Sequence, residues 1–344
     1  MAAGKSAVVT AGQIVTQHPE SGERHVSCCP LSIRGQETLG VHWTAQDVAY
    51  SHFRGYAAEN RQMPMAVVLG GDPLLRLLAS FPLPKQTDAY LLAGFLRERN
   101  VELVKARTLE LAVPACADLV IEGRIDTEAP PEPSRPIALD TGFYSGEQEV
   151  SLMHATAVTH RSNPILPAVI PGAPPTEQSW LDMAAERLQR PIVRLFLPEV
   201  VDLHRPPEGA GRNFLFVSIR KEFPHQARKV MNALWGMTGF ATTKWIIVVD
   251  ADVDVRDASA VWFHVGANAH PGRDLQSCDG PTYDADHAAP VPGMGQKLGV
   301  DATRKLPAEG HPREWPEPLE MSRQMRELVE GRWSEYGFGG EARR

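Results

Sequence analysis

Residues 213–274 read NFLFVSIRKEFPHQARKVMNALWGMTGFATTKWIIVVDADVDVRDASAVWFHVGANAHPGRD. Phe214–Ile219 is a short apolar run, and 244–249 is a second, with Trp245, Ile246, Ile247, Val248 and Val249 in succession. Runs without polar alternation predict strands covered on both faces. Between them, from Gln226, Ala227, Val230, Met231 and Leu234 recur at helical spacing. Another helix is predicted over 257–264, after Asp250 ends the second strand. Two strands joined through a helix make a parallel, right-handed unit.

Within this stretch, KEFPHQARKVMNALW and TTKWIIVVDADVDVRD carry a specific resemblance. They are similar to the C-terminal domain of the UbiD family of carboxy-lyases. The resemblance continues upstream in THRSNPILPAVIPG, VELVKARTLELAVPACADLVIEG, GGDPLLRLLASFPLP and HPESGERHVSCCPLSIRGQETLGVHW. It implies a mixed α+β and α/β fold in three segments. Residues 1–175 form a split β-barrel of the flavin-binding type, 176–310 an α/β domain, and 311–344 a C-terminal helix exchanged between subunits.

The bulk properties agree with ordinary globular material. The chain has 344 residues, enough for about two domains of ~150 residues. It is 43% hydrophobic and 22% charged, with a net charge of −7. No basic footprint argues for nucleic acid. No apolar run approaches the ~18 residues of a membrane helix, and the first residues lack the apolar core of a signal peptide. Cys28, Cys29, Cys116 and Cys278 make no metal-binding spacing, so a reduced, cytoplasmic protein is expected.

In residues 1–175, strands are predicted near 7–16, 25–43, 65–69, 101–104, 119–121 and 155–159, with helices near 46–60 and 88–97. In the second helix, Leu91, Leu92, Phe95 and Leu96 form the apolar face. Residues 128–140, EAPPEPSRPIALD, are proline-rich and read as a loop, and 281–299 as an irregular strap. The tail has Met321, Met325, Leu328, Val329 and Tyr336 near helical spacing, and a helix with such a face needs a surface to cover. The charges from 323 to 332 read as its solvated side.

The resemblance implies a prenylated FMN, which acts as an electron sink for carbon dioxide loss. It also implies a Glu–Arg–Glu network and an Asn–His–Glu metal set. Arginine clamps a carboxylate through paired hydrogen bonds, and a glutamic acid supplies a proton. In this chain the arginine position falls on Pro30 and the two glutamate positions on Ser134 and Leu139. The metal-ligand positions fall on His25, Gln46 and Ala89. Neither Ser nor Leu titrates near neutral pH, and proline has no side-chain donor. Arg34, Cys29 and Asp140 are candidate substitutes. Thr10, Ser80, Pro82 and Lys297 match positions that contact the flavin or its phosphate. The expected cofactor state is therefore none, or prenylated FMN without its usual metal set.

Other groups have blander readings. DADVDVRD is weighed as a calcium loop, which wants a turn glycine that is missing here, and as a D-x-D metal site of the glycosyltransferase type; its aspartates are read instead as a strand end and a helix cap, since the resembled family's site lies elsewhere. His25 with Cys28 and Cys29 is weighed as a new Cys–His pair. His52, His154 and His160 are read as ordinary, and Glu122 as structural. The resemblance implies a further N-terminal domain in family enzymes, and the segment read here is expected to start at the barrel. The leading expectation is a non-catalytic partner or stabilising subunit of a decarboxylase, carboxylase or other pathway enzyme. It would be a homodimer through the tail helix, or a hetero-oligomer with a full-length UbiD-like subunit. The alternatives are an enzyme with a remodelled site, or a decarboxylase still active on an aromatic or α,β-unsaturated acid.

Overall fold

A computed structural model describes residues 7–83, 87–317 and 319–337. Residues 1–6 of the predicted barrel segment and 338–344 of the predicted tail lie outside them. The first part of the chain builds β1 (Val8–Val9), β2 (Gln13–Gln17), β3 (Arg24–Cys28), β4 (Leu31–Ile33), β5 (Thr38–Val41), α1 (Val48–Ala58) and β6 (Met63–Leu69). It continues with α2 (Pro73–Ser80), α3 (Ala89–Arg97), β7 (Leu103–Lys105), β8 (Ala112–Pro114), β9 (Leu119–Ile125), β10 (Glu132–Ser134) and β11 (Gln148–His160). The second part adds α4 (Glu177–Phe196), β12 (Val200–His204), β13 (Phe214–Ile219), α5 (Gln226–Gly236), β14 (Trp245–Asp250), α6 (Ala258–Asn268), α7 (Pro271–Asp274), β15 (Leu275–Pro281) and β16 (Met294–Asp301).

The opening stretch folds as its pattern predicts. β13 and β14 pair in parallel, from Phe214 opposite Trp245 to Ile219 opposite Asp250. Alternate residues go to opposite faces. Leu215, Val217, Ile246 and Val248 meet Ala227, Val230, Met231 and Leu234 of α5. Phe216, Ile247 and Val249 meet Val253, Val255 and Val261 on the other face. The full sheet runs β12-β13-β14-β16-β15, with antiparallel strands at both edges. Asp257 caps α6 by accepting from the Ala260 amide at 3.1 Å, and Asp254 accepts from the Arg256 amide at 2.9 Å.

The first part is a curled antiparallel sheet in the order β1-β4-β5-β11-β9-β6-β2-β3, with β10 branching from β11. The long strand β11 makes the curl. Its residues 151–154 pair with β5 and 153–160 with β9, and its register shifts between Ala155 and Ala157. Such an irregularity bends a strand and increases its twist. One face of the sheet packs Val15, Ala66, Val68 and Val120 against α2 and α3. The other encloses Ile14, Leu31, Val41, Met65 and Met153 with Ala49 and Tyr56 of α1.

Three expectations need correction. Residues 132–134 are a short strand rather than loop, paired with Gln148–Val150; an edge strand tolerates Pro133 because one row of its N–H groups meets no neighbour. The irregular strap ends at Gly293, and Met294–Asp301 is a regular strand between β14 and β15. In α3 the buried residues are Ala89, Tyr90 and Ala93, while Leu91 and Phe95 are 74% and 78% exposed. Small residues let that helix approach the sheet closely. Helix α4 was not read from the sequence, because Pro191 lies inside it; Thr176 and Ser179 form its capping box.

Glu122 on β9 shows why a buried carboxylate can be purely structural. It is 1% exposed and accepts from the Arg107 amide at 2.8 Å, the Thr108 amide at 2.6 Å and the Thr108 hydroxyl at 2.7 Å. Burial pushes its carboxyl upward, but these bonds and the Arg107 charge outweigh burial and hold it below the usual range. Its stabilisation is thus present at neutral pH and lost as pH falls through that lowered value. Glu122→Gln is expected to cost about 2 kcal/mol at neutral pH in urea unfolding; an unchanged midpoint would refute this role.

A C-terminal unit begins at Arg304. It carries α8 (Arg323–Gly331), whose Ser322 cap accepts from the Met325 amide at 3.3 Å. Met321, Met325 and Leu328 are each about half exposed. Among the described residues, no helix is long and apolar enough to cross a membrane.

Candidate functional site

Two of the three positions expected to carry the family's acid–base network meet in the structure. The His42 amide donates to the Pro30 carbonyl at 3.1 Å, and His42 Nε2 lies 3.4 Å from the Ser134 hydroxyl. The other His42 nitrogen meets Gln148 at 3.0 Å. Burial lowers the pKa of this imidazole, partly offset by the Gln148 bond, and the Arg34 charge lowers it further. Arg34 is turned to the Pro133 carbonyl at 2.7 Å and to Glu132 at 3.4 Å. Leu139 is half-buried in the turn beyond, its amide bonded to the Phe143 carbonyl at 2.9 Å.

The expected metal positions do not come together. His25 projects from β3 toward His52 of α1, with ring centroids 6.1 Å apart, and His18 stands 5.5 Å from His52. The Thr16 hydroxyl meets His52 Nδ1 at 3.0 Å. Gln46 donates to the Gly293 carbonyl at 3.5 Å. Ala89 is buried at the start of α3, where Asp88 caps the helix and pairs with Arg24. A recess of about 440 Å³ lies there, lined by Gln17, Glu23, Arg24, Asp88 and Glu110 among others. Among the described residues, no group of three or more His, Cys, Asp or Glu side chains is placed to hold a metal ion. This applies to the aspartates of DADVDVRD as well.

Cys28 and Cys29 point to opposite sides of the sheet. Cys28 packs against the core under α2, and Cys29 joins the core with Trp43 and Phe53. Burial raises the Cys28 thiol to about 11, although Arg76 and Arg212 pull it down. Burial raises the Cys29 thiol well above its ordinary value. A thiol held protonated is a poor nucleophile, so Cys29 has no activated form here.

Pro82 approaches Gly239, the Lys297 ammonium donates to the Ala241 carbonyl at 3.0 Å, and the Ser80 carbonyl accepts from Arg212 at 3.2 Å. One helical turn before Ser80, Arg76 Nη1 is buried without a partner among the described residues. An unpaired cationic donor beside Ser80 fits an anionic group such as a flavin phosphate. Thr10 stands apart, its hydroxyl accepting from the Val169 amide at 3.0 Å. The flavin side of the expected site is therefore compatible with these residues, whereas the metal set is not.

A network that sequence reading missed lies next to it. Arg212 bonds Asp182 of α4 at 3.4 Å as well as the Ser80 carbonyl, tying α4 to α2. Gly211, at φ +80°, turns the chain so that Arg212 enters this space. Tyr283 donates to Asp140 at 2.9 Å. Burial raises the Asp140 carboxyl despite Arg212 and Tyr283. Only Asp140 was singled out from the sequence; its partners lie 42 to 143 residues away and carry no local signal.

The curled sheet followed by a covered parallel unit defines a mixed α+β and α/β protein. The chain belongs to the UbiD family. Residues 3–174 match its 3-octaprenyl-4-hydroxybenzoate carboxy-lyase Rift-related domain, and 179–302 match its C-terminal domain. An uncharacterized protein of Aquifex aeolicus is 40% identical over 330 residues, which are 96% of this chain and 68% of that protein. Among solved structures, vanillic acid decarboxylase of Sedimentibacter hydroxybenzoicus in closed form has a TM-score of 0.88 at 25% identity, over 96% of this chain and 70% of that one. The UbiD-class enzyme HmfF from Pelotomaculum thermopropionicum, solved in complex with FMN, has a TM-score of 0.81 at 27% identity, over 96% and 72%. The expectation that no cofactor binds draws no support from a relative that holds FMN.

Proposed function

We propose that this chain is a UbiD-family protein whose barrel reaction centre lacks an acid–base pair, and that it serves as a subunit of a prenyl-FMN-dependent decarboxylase or carboxylase. The observation that carries this reading is the Pro30–His42–Ser134 junction. Where a clamp and a proton donor are expected, it has a backbone carbonyl, a hydroxyl and a neutral imidazole. The exposed Leu91 and Phe95 on α3 and the apolar side of α8 support an assembling role, since exposed apolar groups in clusters mark interfaces. The same surfaces suit a homodimer through the tail helix or pairing with a full-length family member. Ser80, Pro82, Lys297 and Arg76 would hold the ribityl phosphate end of a flavin. When bound, that cofactor supplies an electron sink.

A second reading is an enzyme with a remodelled site. It is favoured by the Arg34–Glu132 pair, which stands beside Ser134 and offers an arginine and a carboxylate near the expected places. The test is to co-express the chain with a flavin prenyltransferase, purify it, and assay carbon dioxide release from aromatic and α,β-unsaturated acids. No release above buffer is expected from the chain alone, together with a stable complex when a full-length family enzyme is added. Turnover by the chain alone would overturn the subunit reading. Loss of that turnover in Arg34→Gln would then establish the second reading.

A further inference from the structure

Asp140 lies in a recess between α4 and the loop that joins β12 to β13. Thr176, Ser179, Asp182, Arg205 and Gly211 line it with Asp140. Its enclosed bottom is about 10 Å³, within a space of about 300 Å³ that opens to solvent. That bottom seats about one oxygen atom, and the rest of a larger group would occupy the open part.

The hydrogen bonds here do not balance. Arg205 is 7% exposed, and its two terminal nitrogens donate to Gln189 at 2.9 Å and to the Gly239 carbonyl at 2.8 Å. Its Nε is buried with no partner among the described residues, and the same holds for the Thr141 hydroxyl nearby. A guanidinium N–H can only donate, so it requires an acceptor. Leaving such a donor unpaired costs more than the bond would contribute. We propose that the recess binds one oxyanionic head group, a carboxylate or a phosphate, seated between the Arg205 Nε–H and the Asp140 carboxyl.

An oxyanion supplies the missing acceptor through a charge-assisted bond. It can sit beside Asp140 only when that carboxyl is protonated and donates. Asp140 is faced by Tyr283 from the segment between β15 and β16, Arg212 from the turn before β13, and Asp182 from α4. Arg205 closes the recess at the end of β12. Arg205 and Arg212 balance Asp182 and Glu186, so an ionised Asp140 makes the group net negative and a protonated one leaves it neutral. Burial favours the protonated form. Binding therefore brings a proton with it and weakens as pH rises. The site goes beyond the proposed function and stands whether or not the chain turns over an acid.

The test is calorimetric titration of the full chain with sodium benzoate and, separately, inorganic phosphate, at about pH 5.5 and about pH 8. Benzamide serves as the neutral control. One of the two anions is expected to bind at the lower pH and to lose about tenfold or more at the higher, with proton uptake seen as a buffer-dependent heat. Which anion binds distinguishes a carboxylate ligand from a phosphate ligand. Asp140→Asn donates without titrating, so it is expected to bind that anion about equally at both pH values, which also removes the probe's own titration as the cause. Binding of neither anion at the lower pH, equal binding of benzamide, or a pH dependence that persists in Asp140→Asn would each overturn the proposal.

Discussion

Asp301→Ala is expected to lower the unfolding free energy by about 3–5 kcal/mol, because it removes one member of a buried, hydrogen-bonded charge cluster. Asp301 closes β16 and is 4% exposed. One carboxylate oxygen accepts from the Thr303 amide at 3.0 Å and the Thr303 hydroxyl at 2.5 Å. The other stands 3.9 Å from Lys221 Nζ, which also donates to the Thr303 hydroxyl at 2.9 Å. Lys221 follows β13, so the cluster locks the carboxyl ends of β13 and β16 around the central strand β14. Both charged side chains are about 95% buried. Urea unfolding checks the expectation. The double variant Lys221→Met with Asp301→Leu should recover much of the loss, since an apolar pair avoids the desolvation cost of buried charges. A loss below about 1 kcal/mol in Asp301→Ala would mean that solvent reaches the ammonium.

The second large effect is an acid-side loss of stability centred on the imidazoles of the barrel. His52 is 3% exposed, bonded to the Thr16 hydroxyl, and flanked by His18 and His25. Burial, helped by the His25 and His18 charges, lowers His52 from 6.5 to about 4. Burial lowers His25 to about 4 as well, against an opposing pull from Glu23. The unfolded chain therefore takes up these protons before the folded one does. The stabilisation is complete above 6.5, is lost as pH falls from 6.5 toward 4, and falls no further below that. At about pH 4.5 the pair is expected to account for a loss on the order of 3 kcal/mol, discounted for the partial solvent access of His25. His52→Gln should remove about half of the difference between neutral and acid unfolding energies, whatever the carboxylates contribute to both proteins. An acid limb identical in the variant and the parent would show that these rings are solvated in the fold.

The two expectations differ in how far the sequence could reach them. Lys221 is legible in KEFPHQARKVMNALW as part of a family pattern, but nothing local says that it meets Asp301 and Thr303 across the sheet. His52 was read as ordinary, and in isolation it is one side chain on the buried face of a helix. What makes it consequential is the arrival of two more imidazoles from the turn after β2 and from β3. Likewise α2, α4 and the inverted face of α3 escaped notice. Helical spacing is ambiguous when large apolar groups point outward and small ones pack inward, as Leu91 and Ala93 do.

The acid–base positions show the same division. The expectation that family acid–base positions fall on Pro30, Ser134 and Leu139 is a matter of residue identity and rests on aligned words alone. That Pro30 and Ser134 meet through His42, that Arg34 faces Glu132, and that Cys29 is buried in the core were decided only when strands from distant parts of the chain paired.

By itself the sequence determined the covered parallel unit over 213–274, because two unbroken apolar runs around an amphipathic helix have few ways to bury every face. Through that unit and the words upstream it also determined the family. The tertiary structure alone decided the Asp140–Tyr283–Arg212–Asp182 network and the unpaired Arg205 donor. Their charges act over a few ångströms in space while their residues lie tens to more than a hundred positions apart in the chain. Burial, which shifts the balance of those charges, is a property of the assembled fold and is not written at any one position.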